Sequence, residues 1–147
     1  MAVNPIPAEY GSVTPYLVVD GASRLIDFAK QVFGVQEIMR MPGPGGTIGH
    51  AEMRFGDRVV MLADAGPENP ARSAALVLYV SDCDATYRKA LSAGGASERQ
   101  PEDQFYGDRS AGVDAFGVTW WIHTHIEDVS PEEMEKRMAA TAPQPAS

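Results

Sequence analysis

The sequence is poor in the features that would commit it to several large classes of protein. It has a single cysteine, Cys83, so no disulfide can form within the chain and a small oxidised scaffold is excluded. Cys83 sits in the run VSDCDAT between two acids, which disfavour a thiolate, and a structural role is expected of it. No apolar run approaches the ~18 residues that a membrane-spanning helix requires. Basic residues are scarce, 12 Lys and Arg against 20 Asp and Glu, and the net charge of −8 repels a phosphate backbone. With no Lys/Arg cluster there is little counterion release to drive binding, so nucleic acid is not an expected partner. The first residues, MAVNPIPAEY, carry neither the basic nor the apolar stretch of a secretory signal, which makes the cytoplasm the expected compartment.

What is present is a globular composition. The chain has 147 residues, 44% of them hydrophobic, a length that suits one compact domain or two half-size modules sharing a core. Val13 to Val19 (VTPYLVV) reads as a strand, and Asp20-Gly21 opens a segment with Leu25, Ile26, Phe28, Ala29, Val32 and Phe33 at helical spacing. Gly34 stands where a left-handed helix cap is expected, and Val35 to Met41 turns extended again. The stretch PGPGG at 42–46 must be a loop. Thr47 to Phe55 and Arg58 to Ala63 then form two extended runs around Gly56-Asp57, a pair suited to a type II′ hairpin turn with glycine first.

After the polar, proline-containing segment 64–73 the pattern restarts. Ala74 to Val80 is a strand, and Asp82 leads into a helix that ends at Gly94-Gly95. The acids that open the two helices, Asp20 and Asp82, are 62 residues apart, and the glycines before each closing strand, Gly56 and Gly117, are 61 apart. Such an offset signals an internal duplication, in which each half has too little core alone and must bury a sheet face against the other. The expected fold class is α+β, with two tandem βαβββ modules forming a curved mixed sheet with a concave cleft. Module one spans about 12–64, the linker about 65–73 and module two about 74–128. Ser130-Pro131-Glu132-Glu133 is a capping box that starts a short helix over about 131–140, and the tail TAPQPAS should fray.

A duplicated βαβββ module in a chain of this length resembles the vicinal-oxygen-chelate superfamily, which includes glyoxalase I, extradiol dioxygenases, fosfomycin-resistance transferases and bleomycin-binding proteins. Pro15-Tyr16-Leu17, Ile26-Asp27-Phe28, Val32-Phe33-Gly34, Gly49-His50-Ala51-Glu52 and Phe55-Gly56-Asp57 carry the likeness in the first half. Leu62-Ala63-Asp64, Gly107-Asp108-Arg109 and Asp114-Ala115-Phe116-Gly117 with Trp120 continue it, and together they look like the glyoxalase/bleomycin-resistance-like branch of phosphonate-operon type. The resemblance covers about residues 12–128. It departs from that branch at Ala115 and Val118, where Pro and His are usual, and at Ala29, where Tyr is common.

Metal-dependent members of that superfamily draw four His and Glu ligands from the first and last strand of each module. Carried onto this sequence, those places fall on Thr14, Met61, Ala75 and Trp121, and their neighbours supply no better donors. No divalent metal or other cofactor is therefore expected. The cleft still has polar groups. With a two-residue turn at Gly56-Asp57, Phe55 opposes Arg58 and Glu52 opposes Met61, so alternation places His50, Glu52 and Arg54 on the Met61 face. The same alternation groups Trp121, His123 and His125, and leaves Trp120, Ile122 and Thr124 toward the helix. Tyr16 shares the Thr14 side and Tyr79 the Ala75 side. The expected pocket is thus lined by Tyr16, His50, Glu52, Met61, Tyr79, Trp121 and His123.

Each of these residues also has a plainer reading. His50 and Glu52 can simply bond one another or Arg54. His123 and His125 resemble a metal pair but lack a third donor. Trp121 serves equally as core or as a stacking platform, Arg109 with Asp108 reads as an ion pair at a turn or, more sharply, as a gate near the cleft, and Met39, Met41 and Met53 read as packing, with Met61 the one placed toward a ligand. Function then divides between two specific readings and a third, plainer one, a stand-alone scaffold or regulatory module whose cleft has lost its ligand. In one, a metal-free cleft binds a small aromatic or cationic molecule through Tyr16, Tyr79 and Trp121, with Met61 and His123 beside it and Glu52 attracting positive charge. In the other, His50 and Glu52 form the acid/base pair of a lyase or isomerase, or join His123 in a rebuilt metal site. The resemblance implies a homodimer, either with modules side by side within a chain or exchanged between chains.

Overall fold

The computed structural model of the chain describes residues 2–141, so most of the tail expected to fray lies outside the described residues. Module one runs β1 (Tyr16–Val19), α1 (Ala22–Phe33), β2 (Gln36–Pro42), β3 (Ile48–Phe55) and β4 (Arg58–Asp64), with a single tight turn at Pro44–Gly46 bridging β2 and β3. Module two repeats it as β5 (Ala74–Tyr79), α2 (Cys83–Ser92), β6 (Ala96–Asp103), β7 (Asp108–Ala115) and β8 (Val118–His125), followed by α3 (Pro131–Thr141). Each module forms its own four-stranded mixed sheet, ordered β1-β4-β3-β2 and β5-β8-β7-β6. In both, the first strand lies parallel to the last and every other pairing is antiparallel. The duplicated α+β architecture read from the sequence is therefore present, as two sheets.

Helix α1 forms because its apolar residues fall on one stripe. Leu25, Ile26, Phe28, Ala29 and Val32 are all buried, and Gly34 closes the helix at φ 66° by donating its N–H to the Lys30 carbonyl. The start of the helix differs from the sequence expectation. Asp20 does not cap it. The Asp64 carboxylate at the end of β4 instead accepts from the backbone N–H of Gly21 (3.1 Å) and Ala22 (2.8 Å) with one oxygen and of Ile48 (2.7 Å) with the other. A long-range cap thus ties helix, sheet and loop together, where module two uses the local cap Asp82 to Ala85 (3.1 Å). Burial pushes the Asp64 carboxyl up, but these three donors and the charge of Arg40 prevail and hold it below its ordinary value.

The hairpins show a second difference. Phe55 pairs with Arg58 and Ala115 with Val118, so the turns are 56–57 and 116–117, and the modules superpose at an offset of 60 over this hairpin. The 61-residue glycine spacing does not mark equivalent places: Gly56 is the first turn residue and Gly117 the second. Gly56 alone has positive φ (57°) in the first turn, as the expected type II′ requires, whereas Phe116 (55°) and Gly117 (80°) both do in the second. A left-handed Phe is rare, and packing holds it there, since its ring meets Phe28 edge-on at 5.6 Å.

The modules join through their helix faces. Helix α1 packs against α2, and Trp120, fully buried on β8, touches Phe28 (5.4 Å), Phe33 (5.3 Å) and, from β3, Phe55 (6.3 Å). Cys83 is buried and its thiol donates to the Ile122 carbonyl at 3.3 Å, with burial pushing its pKa up to about 11, which fits the structural role expected. Met53 is buried as expected, but Met39 and Met41 are exposed on the edge strand β2. Because both sheets turn their helix faces inward, their other faces look away from the shared core.

Candidate functional site

The seven residues expected to line one pocket all lie on these open faces, but they form two clusters, one on each sheet. On the first sheet, pairing of Tyr16 with Met61 and of Met61 with Glu52 fixes three of them in a row across β1, β4 and β3. Glu52 is 5% exposed and accepts from the Tyr10 hydroxyl at 2.6 Å, while its second oxygen lies 3.0 Å from His50 Nε2. Burial pushes the Glu52 carboxyl up, but the hydrogen bonds from Tyr10 and His50 and the charge on His50 outweigh it and leave it below its ordinary value. The Tyr10 hydroxyl is correspondingly held up by its bond to that carboxylate. Tyr16, 50% exposed, lies near-parallel to the His50 ring at 6.3 Å. Tyr10 precedes the first strand, where alternation says nothing about facing, so spacing does not point to it.

On the second sheet the centre is another residue not anticipated, Asp108. It is 2% exposed, and its Oδ2 accepts from Tyr79 Oη (2.6 Å) and faces His123 Nδ1 (3.0 Å), while Oδ1 faces His125 Nδ1 (2.8 Å). Burial raises the Asp108 carboxyl, and hydrogen bonds from Tyr79, His123 and His125 more than reverse this, so it is held below its ordinary value. His125 also reaches Asp128 at 2.8 Å, and the two carboxylates, Asp128 first, raise its pKa. Arg109 does not pair with Asp108 as expected. Arg109 falls on the helix face and bonds Asp84 (2.6 and 3.0 Å) and Asp103 (3.0 Å), because alternation along β7 sends successive side chains to opposite faces.

Trp121 completes this cluster. It pairs with Gly112, and a Cβ at Gly112 would lie 2.5 Å from the indole, so the missing side chain is the space the ring occupies. The Arg99 guanidinium sits over the ring at 5.0 Å and bonds the buried Ser110 hydroxyl. Tyr79 is 63% exposed and its ring lies 5.5 Å from that of His123, with Tyr106 on His123 at 6.2 Å.

The family's metal-ligand places do not suit a metal ion. Thr14, Met61, Ala75 and Trp121 offer no imidazole or carboxylate, and the Trp121 ring is committed to Gly112. Among the described residues no group of three or more His, Cys, Asp or Glu is arranged to hold one, and His123 and His125 both direct Nδ1 to Asp108. A cavity of about 890 Å³ lies elsewhere, between the segment 8–15, the β3–β4 turn and the outer edge of β5. It touches each cluster only at Tyr10 and Tyr79.

A family comparison agrees with the duplicated modules. Residues 10–122 match the model of the Glyoxalase/Bleomycin resistance protein/Dioxygenase superfamily. The chain belongs to this superfamily. Its curated relatives include the uncharacterized protein Mb0911c of Mycobacterium bovis, 34% identical and covering 95% of this chain and 97% of its own length. Among solved structures, the superfamily fold recurs in TioX from Micromonospora sp. ML1, with TM-score 0.64 and 25% identity over 79% of this chain and all of that one. It recurs also in a PhnB protein from Bacillus cereus, described as a putative 3-demethylubiquinone-9 3-methyltransferase, with TM-score 0.62 and 19% identity over 78% and 99% of the two chains. No helix among the described residues is long and apolar enough to cross a membrane.

Proposed function

We propose that this superfamily member is a cytoplasmic, metal-free binding protein that holds a small aromatic or cationic molecule between an open sheet face of one chain and that of a second copy. The observation that carries this reading is the pair of exposed aromatic rings, Tyr16 and Tyr79, set beside imidazoles on faces that look away from the core. Such faces supply stacking area, and the ionised Glu52 supplies a counter-charge for a cation. A single chain holds only half of each cleft. The apolar surface left exposed, with Val77 at 58% beside Tyr79 on the edge strand β5, suits cover by a homodimer partner.

The test is titration of the aromatic cation proflavine against neutral acridine at mildly alkaline pH, followed by calorimetry, together with sedimentation analysis. Saturable binding, weakened by Glu52→Gln, in a dimer is expected. A monomer that binds neither dye would overturn the proposal, and stoichiometric metal retained after dialysis would overturn its metal-free part.

The 3.0 Å contact between His50 and Glu52 favours a second reading, in which this pair does acid/base work in a lyase or isomerase and Glu52 fixes the imidazole tautomer. Turnover of an oxoaldehyde that is lost in His50→Ala, with ligand affinity kept, would favour it over simple binding.

A further inference from the structure

We propose that His123 Nε2 is a hydrogen-bond acceptor for the bound molecule, so that the second sheet selects aromatic ligands carrying an O–H or N–H. The inference deepens the binding reading above and rests on it for the open face being the ligand face. Its starting point is Asp108, whose Oδ2 lies 3.0 Å from His123 Nδ1 deep in the sheet. An ionised carboxylate has no hydrogen to give, so the hydrogen of this contact belongs to Nδ1, and a neutral imidazole then leaves its lone pair on Nε2. Asp108 is kept ionised by the three donors that converge on it.

Among the described residues, Nε2 of His123 has no hydrogen-bond partner, although the residue is only 8% exposed. Among the described residues the fully buried side-chain polar atom without a hydrogen-bond partner is Arg99 Nε, so His123 Nε2 still reaches the open face, where a ligand donor can take the place of water. The neighbours leave this role to His123 alone. The Tyr79 hydroxyl is taken up by Asp108, so Tyr79 offers its ring, and Tyr106 presents a near-parallel ring on His123. Arg99 can only donate and bonds the Ser110 hydroxyl, its Nε being buried without a hydrogen-bond partner, and on the first sheet His50 already directs Nε2 to Glu52. The aromatic surroundings set the class of ligand and the lone pair sets the group it must bear.

Two measurements on the intact protein decide this. Long-range proton–nitrogen NMR of labelled imidazoles reads the tautomer directly: Nδ1–H at His123 is expected, and Nε2–H would overturn the inference. Calorimetry with naphthol and its methyl ether, which share one aromatic surface, should show naphthol binding about tenfold tighter, with the Nε2 resonance moving on addition. Equal affinities, or no binding of either, would overturn the inference whatever the tautomer. His123→Leu should erase the preference for naphthol, and His123→Gln, which returns an acceptor near the same place, should restore part of it. If the leucine variant does not fold, the tautomer and the ligand pair still decide. Binding of proflavine without naphthol would remove this inference and leave the binding function standing, whereas binding of neither removes both.

Discussion

The two open sheet faces use the same three groups in different ways. On the first, a tyrosine hydroxyl and an imidazole meet a buried carboxylate as Tyr10, His50 and Glu52; on the second, they meet as Tyr79, His123 and Asp108. These are not copies. Glu52 stands opposite Met61 and Gly112 opposite Trp121, so the module-two counterpart of Glu52 is a glycine that makes room for an indole. Duplication preserved what the core requires, namely strand pairing and the apolar helix faces. It left the open faces free to diverge because the shared core does not pack against them; local groups such as Tyr10 on the first and Tyr106 and Arg99 on the second cover them in part.

The sharpest way to break this comparison is across the sheet rather than between modules. Trp120→Ala removes a fully buried indole from the junction of both modules and should lower stability by about 4 kcal/mol in urea denaturation, whereas Trp121→Ala should lower it far less and act on ligand binding. Between the clusters, Asp108→Asn should cost about 3 kcal/mol, because a buried acceptor of three donors is exchanged for an amide that cannot satisfy them all. Glu52→Gln, with two donors, should cost less in the same measurement. Gly112→Ala should cost about 2 kcal/mol and move the Trp121 fluorescence, since the added methyl meets the ring; no such clash arises at its counterpart, which already carries a side chain.

The pH response should separate the faces with a smaller effect. Glu52 and Asp108 are lowered in the folded protein, so their contribution is present above the ordinary carboxylate value of about 4 and is lost as pH falls through the folded values. His125 is raised, so its contribution is complete below about 6.5 and is lost as pH rises through its folded value. Thermal midpoints should therefore fall on the acid side with contributions from both modules. A slight fall on the alkaline side should disappear in His125→Asn.

Much of the fold was legible because periodicity and turn chemistry are local. The stripe of α1, the left-handed Gly34 and the pairing of Glu52 with Met61 follow from spacing alone. Facing was equally legible: Trp120 and Trp121 divide between core and open face as alternation requires. Partners were not. Spacing offered Asp20 as the cap of α1 and Asp108 as the partner of Arg109, since each is adjacent in sequence, but the long-range Asp64 and the pair Asp84 and Asp103 fill those roles. Tyr10 and Asp108 escaped for the same reason, as their roles depend on which distant group reaches them.

The sequence by itself determined two βαβββ modules and the face each strand residue takes, because these depend on neighbours a few residues away. Only the tertiary structure decided that the helix faces meet and the open faces part, dividing one expected pocket into two clusters. That outcome rests on Phe28, Phe33 and Phe55 closing around Trp120, contacts between apolar surfaces far apart in the chain, which no local spacing encodes.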